Sequence, residues 1–136
     1  MGQQQLLLLV FGVIIVGIAI IAGINVYVVN FDQALVDNIV NRNLEIANSA
    51  VFYKTKMDPY NGGNMSYELL GDSGLETLSM SSTTNFGTFA ITNATETTLE
   101  ITGIGLRNPD IGVRTYISGY GIDSSRVSYV GDITIE

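Results

Sequence analysis

The stretch that decides the fold is "LLLLVFGVIIVGIAIIAGI", residues 6–24, which contains no charged or strongly polar side chain. An α-helix rises about 1.5 Å per residue, so this run spans roughly 28 Å, close to the hydrocarbon thickness of a bilayer. No Lys or Arg precedes the run, and the first charged side chain after it is that of Asp32. The stretch is therefore long enough to cross a membrane as one helix.

Three interpretations of this stretch compete: a cleaved secretory signal, a permanent signal anchor, and a helix that starts in the membrane and later packs against copies of itself. A secretory signal has a basic start, an apolar core of about 7–15 residues and a small-residue cleavage site. This run has no basic start, is longer, and continues into the apolar residues 26–29. The pattern disfavours a cleaved signal and leaves the other two interpretations open.

The residues that follow predict that the helix continues with one apolar face. Apolar side chains recur at spacings of three and four, as at Phe31, Leu35, Ile39, Ile46 and Ala50. No Gly or Pro occurs between Ile24 and Met57, and Pro59 then marks a stop. We predict a hydrophobic helix over residues 1–30, an amphipathic helix over 31–56 and a loop over 57–74.

From about residue 75 the pattern becomes that of β-strands, with short runs rich in Thr, Val, Ile, Phe and Tyr. Candidate strands are residues 75–81, 86–92, 97–105, 113–118 and 128–136, separated by turn-forming residues. In the third run Thr98, Glu100 and Thr102 are predicted to face outward, and a shift in alternation at Gly103 predicts a β-bulge. We expect an α+β fold with an antiparallel sheet of four to five strands, at 75–136, packed on the amphipathic helix.

Composition narrows the function classes. The chain has 136 residues, with 13 acidic and 6 basic side chains and a net charge of -7, all of it after residue 31. Such an acidic surface does not favour nucleic-acid binding, which requires clustered Lys and Arg. There is no Cys or His, so thiolate and imidazole chemistry is excluded. No motif indicates catalysis, and we expect no enzyme activity, no cofactor and no metal site.

Two short patterns concern the head. Asn64 in "NMS" and Asn93 in "NAT" match the acceptor pattern for N-glycosylation, although Asn is also common in loops. The acidic residues Asp72, Asp110 and Asp123 lack the spacing of a calcium loop. For both the Asn and the Asp residues we favour a role in forming turns over a glycosylation or calcium site.

The layout of an apolar helix, an amphipathic continuation and an antiparallel sheet resembles that of type IV pilins and type II secretion pseudopilins. The resemblance implies that a prepilin peptidase cleaves after a glycine, which makes Gly2 the last leader residue and Gln3 the mature N-terminus; alternatively Met1 is already the mature first residue. The family usually has Glu at the fifth mature position. Here that position is Gln5 or Leu7, and both are neutral.

The resemblance further implies a structural subunit of an extracellular, type IV pilus-like helical filament. Its partners would be copies of itself, the inner membrane before assembly, the pilus assembly machinery and the peptidase. The alternative is a single-pass, signal-anchored membrane protein with a small binding head. The implied filament-core residues are Gln5, Leu6, Leu9, Phe11, Ile14, Gly17, Ile20 and Gly23.

The glycines of the apolar helix have two possible roles, and the sequence does not decide between them. Each costs about 1 kcal/mol of helix propensity relative to Ala, which favours local melting of the helix around Gly17–Gly23 in a filament. Alternatively, Ala19 and Gly23 form a small-xxx-small pair that lets a second helix approach closely.

Overall fold

The first helix is continuous, as predicted. The computed structural model describes residues 2–135, apart from the side chain of Asp72, and α1 runs over Gly2–Thr55. Two of its last carbonyls, those of Tyr53 and Lys54, accept hydrogen bonds from the amides of Gly63 and Met65, both at 2.9 Å. The following loop therefore caps the helix. By internal contacts the chain divides into two compact units, Met1–Ala34 and Leu35–Glu136.

The second unit contains one antiparallel sheet and a short helix. Its four strands are paired in the order β1-β2-β3-β4, and α2 contacts β1. The elements are α2 (Leu70–Thr77), β1 (Gly87–Ala94), β2 (Thr98–Gly105), β3 (Gly112–Ser118) and β4 (Gly121–Ser128). The predicted α+β fold, a long N-terminal helix packed on a four-stranded antiparallel sheet, is confirmed.

The core lies between the C-terminal part of α1 and one face of the sheet, called here the inner face. Buried residues of α1 include Leu35, Ile39, Ile46 and Ala50, which follow the predicted spacing; those of the strands include Phe89, Leu99, Ile101, Val113 and Ile117. At Gly103 the helix approaches the sheet backbone closely, because a Cβ there would lie 2.7 Å from Ile39 Cγ2. The absent side chain makes room for helix packing.

The predicted bulge at Gly103 is wrong. Strand β2 pairs with β3 without interruption through this residue. The register shifts lie instead in the two edge strands, between Ile91 and Asn93 of β1 and opposite Tyr116–Ile117, where Asp123 of β4 is the extra residue. Thr98, Glu100 and Thr102 do lie on the outer face, opposite to Leu99 and Ile101.

The strand predicted at residues 75–81 is also wrong, because α2 covers Leu70–Thr77. The alternation of Leu75 with polar residues favoured a strand. Packing decides otherwise: a Cβ on Gly74 would lie 2.4 Å from Ile91 Cδ1, so this glycine lets α2 pack directly on β1. Tertiary contact therefore outweighs local propensity in this short helix.

The last strand is shifted relative to the prediction. The predicted turn at residues 119–125 is wrong from Gly121 onward, because Gly121–Ser128 form β4, and the described part of the predicted strand 128–136 contains no strand beyond Ser128. The turn that joins β3 to β4 is tighter than expected, with Gly119 at φ +63°, and Gly131 at φ +75° interrupts the later run. Both conformations favour glycine.

The two edges of the sheet and its outer face differ in which segments cover them. Along β1, the amide of Phe89 donates to Ser82 O at 2.7 Å, so residues 82–84 cover that edge. Nothing in residues 2–135 pairs with the free edge of β4. On the outer face, Arg114 Nη2 donates to Thr134 O at 2.9 Å and Ile133 packs on Gly112. The segment 129–135 therefore lies against one end of β3.

Candidate assembly surface on the apolar helix

The N-terminal part of α1, residues 2–34, is called here the stem, and none of its side chains is buried. The exposed large apolar residues begin at Leu6 and continue to Val29. Five predicted filament-core residues, Leu6, Leu9, Phe11, Ile14 and Ile20, are between 50% and 67% exposed. The structure therefore places these predicted residues on an unoccupied apolar surface.

The stem has the properties required of a segment surrounded by hydrocarbon. After the first turn, its backbone groups are hydrogen-bonded within the helix, and only helices and closed barrels meet that requirement in lipid. By length and composition, α1 contains a stretch that could cross a membrane. Tyr27, which is 70% exposed, follows the apolar run, and its amphipathic ring suits a membrane–water interface.

The stem glycines leave space for another helix. A Cβ added at Gly12, Gly17 or Gly23 would meet nothing within 4 Å. Beside Gly12 a shallow apolar groove of about 420 Å³ is lined by Leu8, Leu9, Val13 and Val16. The helix is unbroken over Gly17–Gly23 in the single chain. The melting hypothesis concerns the filament, so both glycine interpretations remain predictions.

The processing residues lie at the start of α1. Met1 is outside the described residues, whereas Gly2 is the first residue of α1 and Gln3 belongs to its first turn. That first turn carries no acidic side chain. Gln5 is exposed and neutral, so it offers hydrogen bonds but no charge to a neighbouring group.

Lys54, which the sequence analysis missed, forms the centre of an aromatic clamp at the end of α1. Its Nζ lies 4.5 Å from the ring centroid of Tyr67 and 4.8 Å from that of Tyr120. Tyr67 Oη donates to Gly119 O at 2.6 Å. Burial raises the pKa of the Tyr67 hydroxyl, and Tyr120 adds to the shift. The position of Lys54, four residues after Ala50 on the buried helix face, was the available signal.

Asn43 is a second missed residue, and it is fully buried. Its Nδ2 donates to Val113 O and to Thr115 Oγ1, both at 3.2 Å. Its Oδ1 has no hydrogen-bond partner within the described part of the chain. Because these bonds link α1 to β3, Asn43 sets the position of the helix along the sheet. Its spacing from Ile39 and Ile46 already placed it on the buried face.

The two glycosylation candidates are both exposed and lie in different settings. Asn64 is in the loop after α1, at φ +47°, and its Nδ2 donates to Asp58 O at 3.4 Å. Asn93 is not in a loop as predicted, because it belongs to β1, where it is paired with Glu100. The two candidates therefore do not belong to one site.

The predicted assembly residues thus lie together on the stem, whose large apolar residues from Leu6 to Val29 are exposed. Among the residues that the structure describes, no group of three or more acidic side chains could hold a metal ion. Comparisons of the chain with protein-family models, with curated proteins and with solved structures found no match.

Proposed function

We propose that this protein is the structural subunit of an extracellular helical filament of the type IV pilus kind, and that it polymerises through its stem. The observation that carries the proposal is the contrast within α1. Residues 2–31 have no charged side chain, and every large apolar residue from Leu6 to Val29 is exposed, whereas the same helix is buried against the sheet from Leu35 onward.

The free energy of hydration supports this assignment. Fully burying one large apolar side chain is worth about 1.5–3 kcal/mol relative to water. The exposed apolar residues of the stem together would therefore cost tens of kcal/mol in water, so the stem needs either lipid or other stems around it. Assembly would exchange the first environment for the second.

A general rule of subunit symmetry supports a filament rather than a closed ring. A subunit with one long apolar surface and a separate folded head can contact successive copies through unlike faces. Such head-to-tail contacts produce an open helical polymer when the rotation does not close. Before assembly the stem of the monomer would lie in the inner membrane, and on assembly the stem would leave the membrane and enter the filament.

The test is electron microscopy of material sheared from cells that express the full chain, with mass analysis of the N-terminus. We expect thin filaments that contain this chain, and the mass will distinguish Met1 from Gln3 as the first residue. A charge at a helix centre costs about 2.5–3.5 kcal/mol on insertion scales, so Ile14→Lys should abolish filaments.

The matched control is Tyr60→Lys, which adds the same charge at a head residue that is 93% exposed. Filaments should persist in this variant. If the wild-type chain remains entirely in the membrane fraction as a monomer or dimer, the filament proposal is refuted and the signal-anchored alternative takes its place.

A further inference from the structure

The outer face of the sheet carries, at the C-terminal end of β3, a depression with polar and apolar lining that the assembly proposal does not use. It has a volume of about 380 Å³ and is lined by residues of all four strands, including Asn93, Thr98, Glu100, Tyr116, Ser118 and Asp123. Its volume falls within the range of about 300–1,000 Å³ that is usual for small-ligand sites. The C-terminal segment contacts Gly112 and Arg114 at the other end of β3.

Two β-bulges shape this depression from opposite edges of the sheet. In β1 the register shift between Ile91 and Asn93 leaves Asn93 opposite Glu100, and in β4 the extra residue is Asp123. Both Asn93 and Asp123 line the depression. Bulges re-aim side chains and are frequent next to functional sites. Here each edge strand contributes one re-aimed polar side chain to the same concavity.

The lining groups differ in whether they are already occupied. Glu100 Oε1 accepts a hydrogen bond from Thr92 Oγ1 at 2.6 Å and lies 3.3 Å from Arg114 Nε. By contrast, neither the Asp123 carboxylate nor the Tyr116 hydroxyl has a hydrogen-bond or ion-pair partner within residues 2–135. The depression therefore offers a free acceptor, a half-buried aromatic ring and several neutral polar groups.

This chemistry excludes several ligand classes. An anion would meet Asp123 with no Lys or Arg among the lining residues. An apolar molecule would remove water from Asp123 without replacing its hydrogen bonds, which is costly. Calcium takes six to eight oxygen ligands, whereas Arg114 already pairs with Glu100 and leaves one free carboxylate.

We propose that this depression binds a neutral saccharide, which would lie on the Tyr116 ring with its hydroxyls toward Asp123 and Asn93. The electron-rich face of an aromatic ring attracts the C–H groups of a sugar ring. A carboxylate is a strong acceptor for hydroxyl groups, because charge-assisted hydrogen bonds are roughly twice as strong as neutral ones. Amide and hydroxyl side chains complete the polar contacts.

The proposal is tested on the full chain in a detergent without sugar groups, such as a zwitterionic amine oxide, under conditions where it does not polymerise. The protein is applied to an array of neutral oligosaccharides with EDTA present, and hits are measured by titration. Because no filament is needed, the result is independent of the proposed function. We expect at least one neutral glycan to bind without calcium.

Two substitutions and two matched controls locate the site. Tyr116→Ala and Asp123→Asn should each weaken the binding of that glycan by about tenfold or more. Tyr129→Ala and Glu76→Gln remove an exposed tyrosine and an exposed acid that do not line the depression and should not change it. Circular dichroism verifies that all four variants are folded.

Three outcomes overturn the proposal. The first is the absence of binding to any neutral glycan on the array, and the second is binding that Tyr116→Ala leaves unchanged. The third is binding only of a polyamine such as spermine, which would identify Asp123 as part of a site for cations.

Discussion

The two parts of α1 have the same backbone conformation and opposite surroundings. Residues 2–34 have no buried side chain, whereas the part from Leu35 to Lys54 supplies nine buried residues to the head. Over residues 6–24 the first part is apolar on all sides, whereas the second part is apolar on one side. The difference shows how the composition of a helix follows its surroundings: an apolar stripe on one side where the helix packs on the sheet, and apolar residues all round where no part of the head covers it.

The largest expected effect comes from matched isoleucine truncations in the two parts. Ile39→Ala removes a side chain that is 0% exposed and should lower the free energy of unfolding of the head by about 2–5 kcal/mol. Ile20→Ala, at a residue 57% exposed, should change it by less than about 0.5 kcal/mol. Denaturant titration of both variants in detergent measures this; equal losses would contradict the division of α1.

A second comparison uses two glycines. Gly103→Ala places a Cβ 2.7 Å from Ile39 Cγ2, and such overpacking should cost the head about 1–3 kcal/mol. Gly17→Ala has open space around the new methyl group and should stabilise the stem helix by about 1 kcal/mol. Denaturation and filament yield are measured for both. Unchanged filament yield with Gly17→Ala would argue against local melting at this position.

A third comparison uses the two lysines near the end of α1. Lys54→Met removes the cation between Tyr67 and Tyr120 and should destabilise the head by about 0.5–2 kcal/mol. Lys56→Met, at an exposed position two residues later, should have an effect below about 0.5 kcal/mol. Similar denaturation midpoints for the two variants would show that the clamp contributes nothing.

The smallest expected effect is on the stability of the head at acid pH. A hydrogen bond from Ser128, with the nearby charge of Arg126, lowers the pKa of Asp132 below its usual 3.8. Because the folded-state pKa lies below that of the unfolded chain, this carboxylate stabilises the head above about pH 4, and the contribution is lost as pH falls through the folded-state pKa. Asp132→Asn should therefore weaken the pH dependence of the unfolding midpoint at acid pH. An unchanged pH dependence would rule this contribution out.

Local patterns were sufficient for the helix and for most of the sheet. The spacing of Leu35, Ile39 and Ile46 identified the buried face of α1, and alternation located β1 to β3 within a few residues. It failed at α2, which depends on the contact of Gly74 with Ile91, and at β4, whose Gly and Asp residues have low strand propensity. Contacts between distant residues decide both elements.

The candidate sites follow the same division. The exposed apolar surface of the stem could be predicted, because a long uncharged run is recognisable in the sequence without knowing how the head folds. The Lys54 clamp and the outer depression could not, since they depend on which residues the turn at Gly119 and the two bulges bring together. Short side-chain patterns do not contain that information.

The free edge of β4 has a consequence for how copies of this protein avoid each other. An open strand edge can template cross-β aggregation, and proteins discourage it with charged side chains and bulges. Strand β4 carries Asp123 at its bulge and Arg126 three residues later, both exposed. These features oppose sheet-to-sheet growth, so a concentrated population of heads should resist conversion to amyloid-like fibrils.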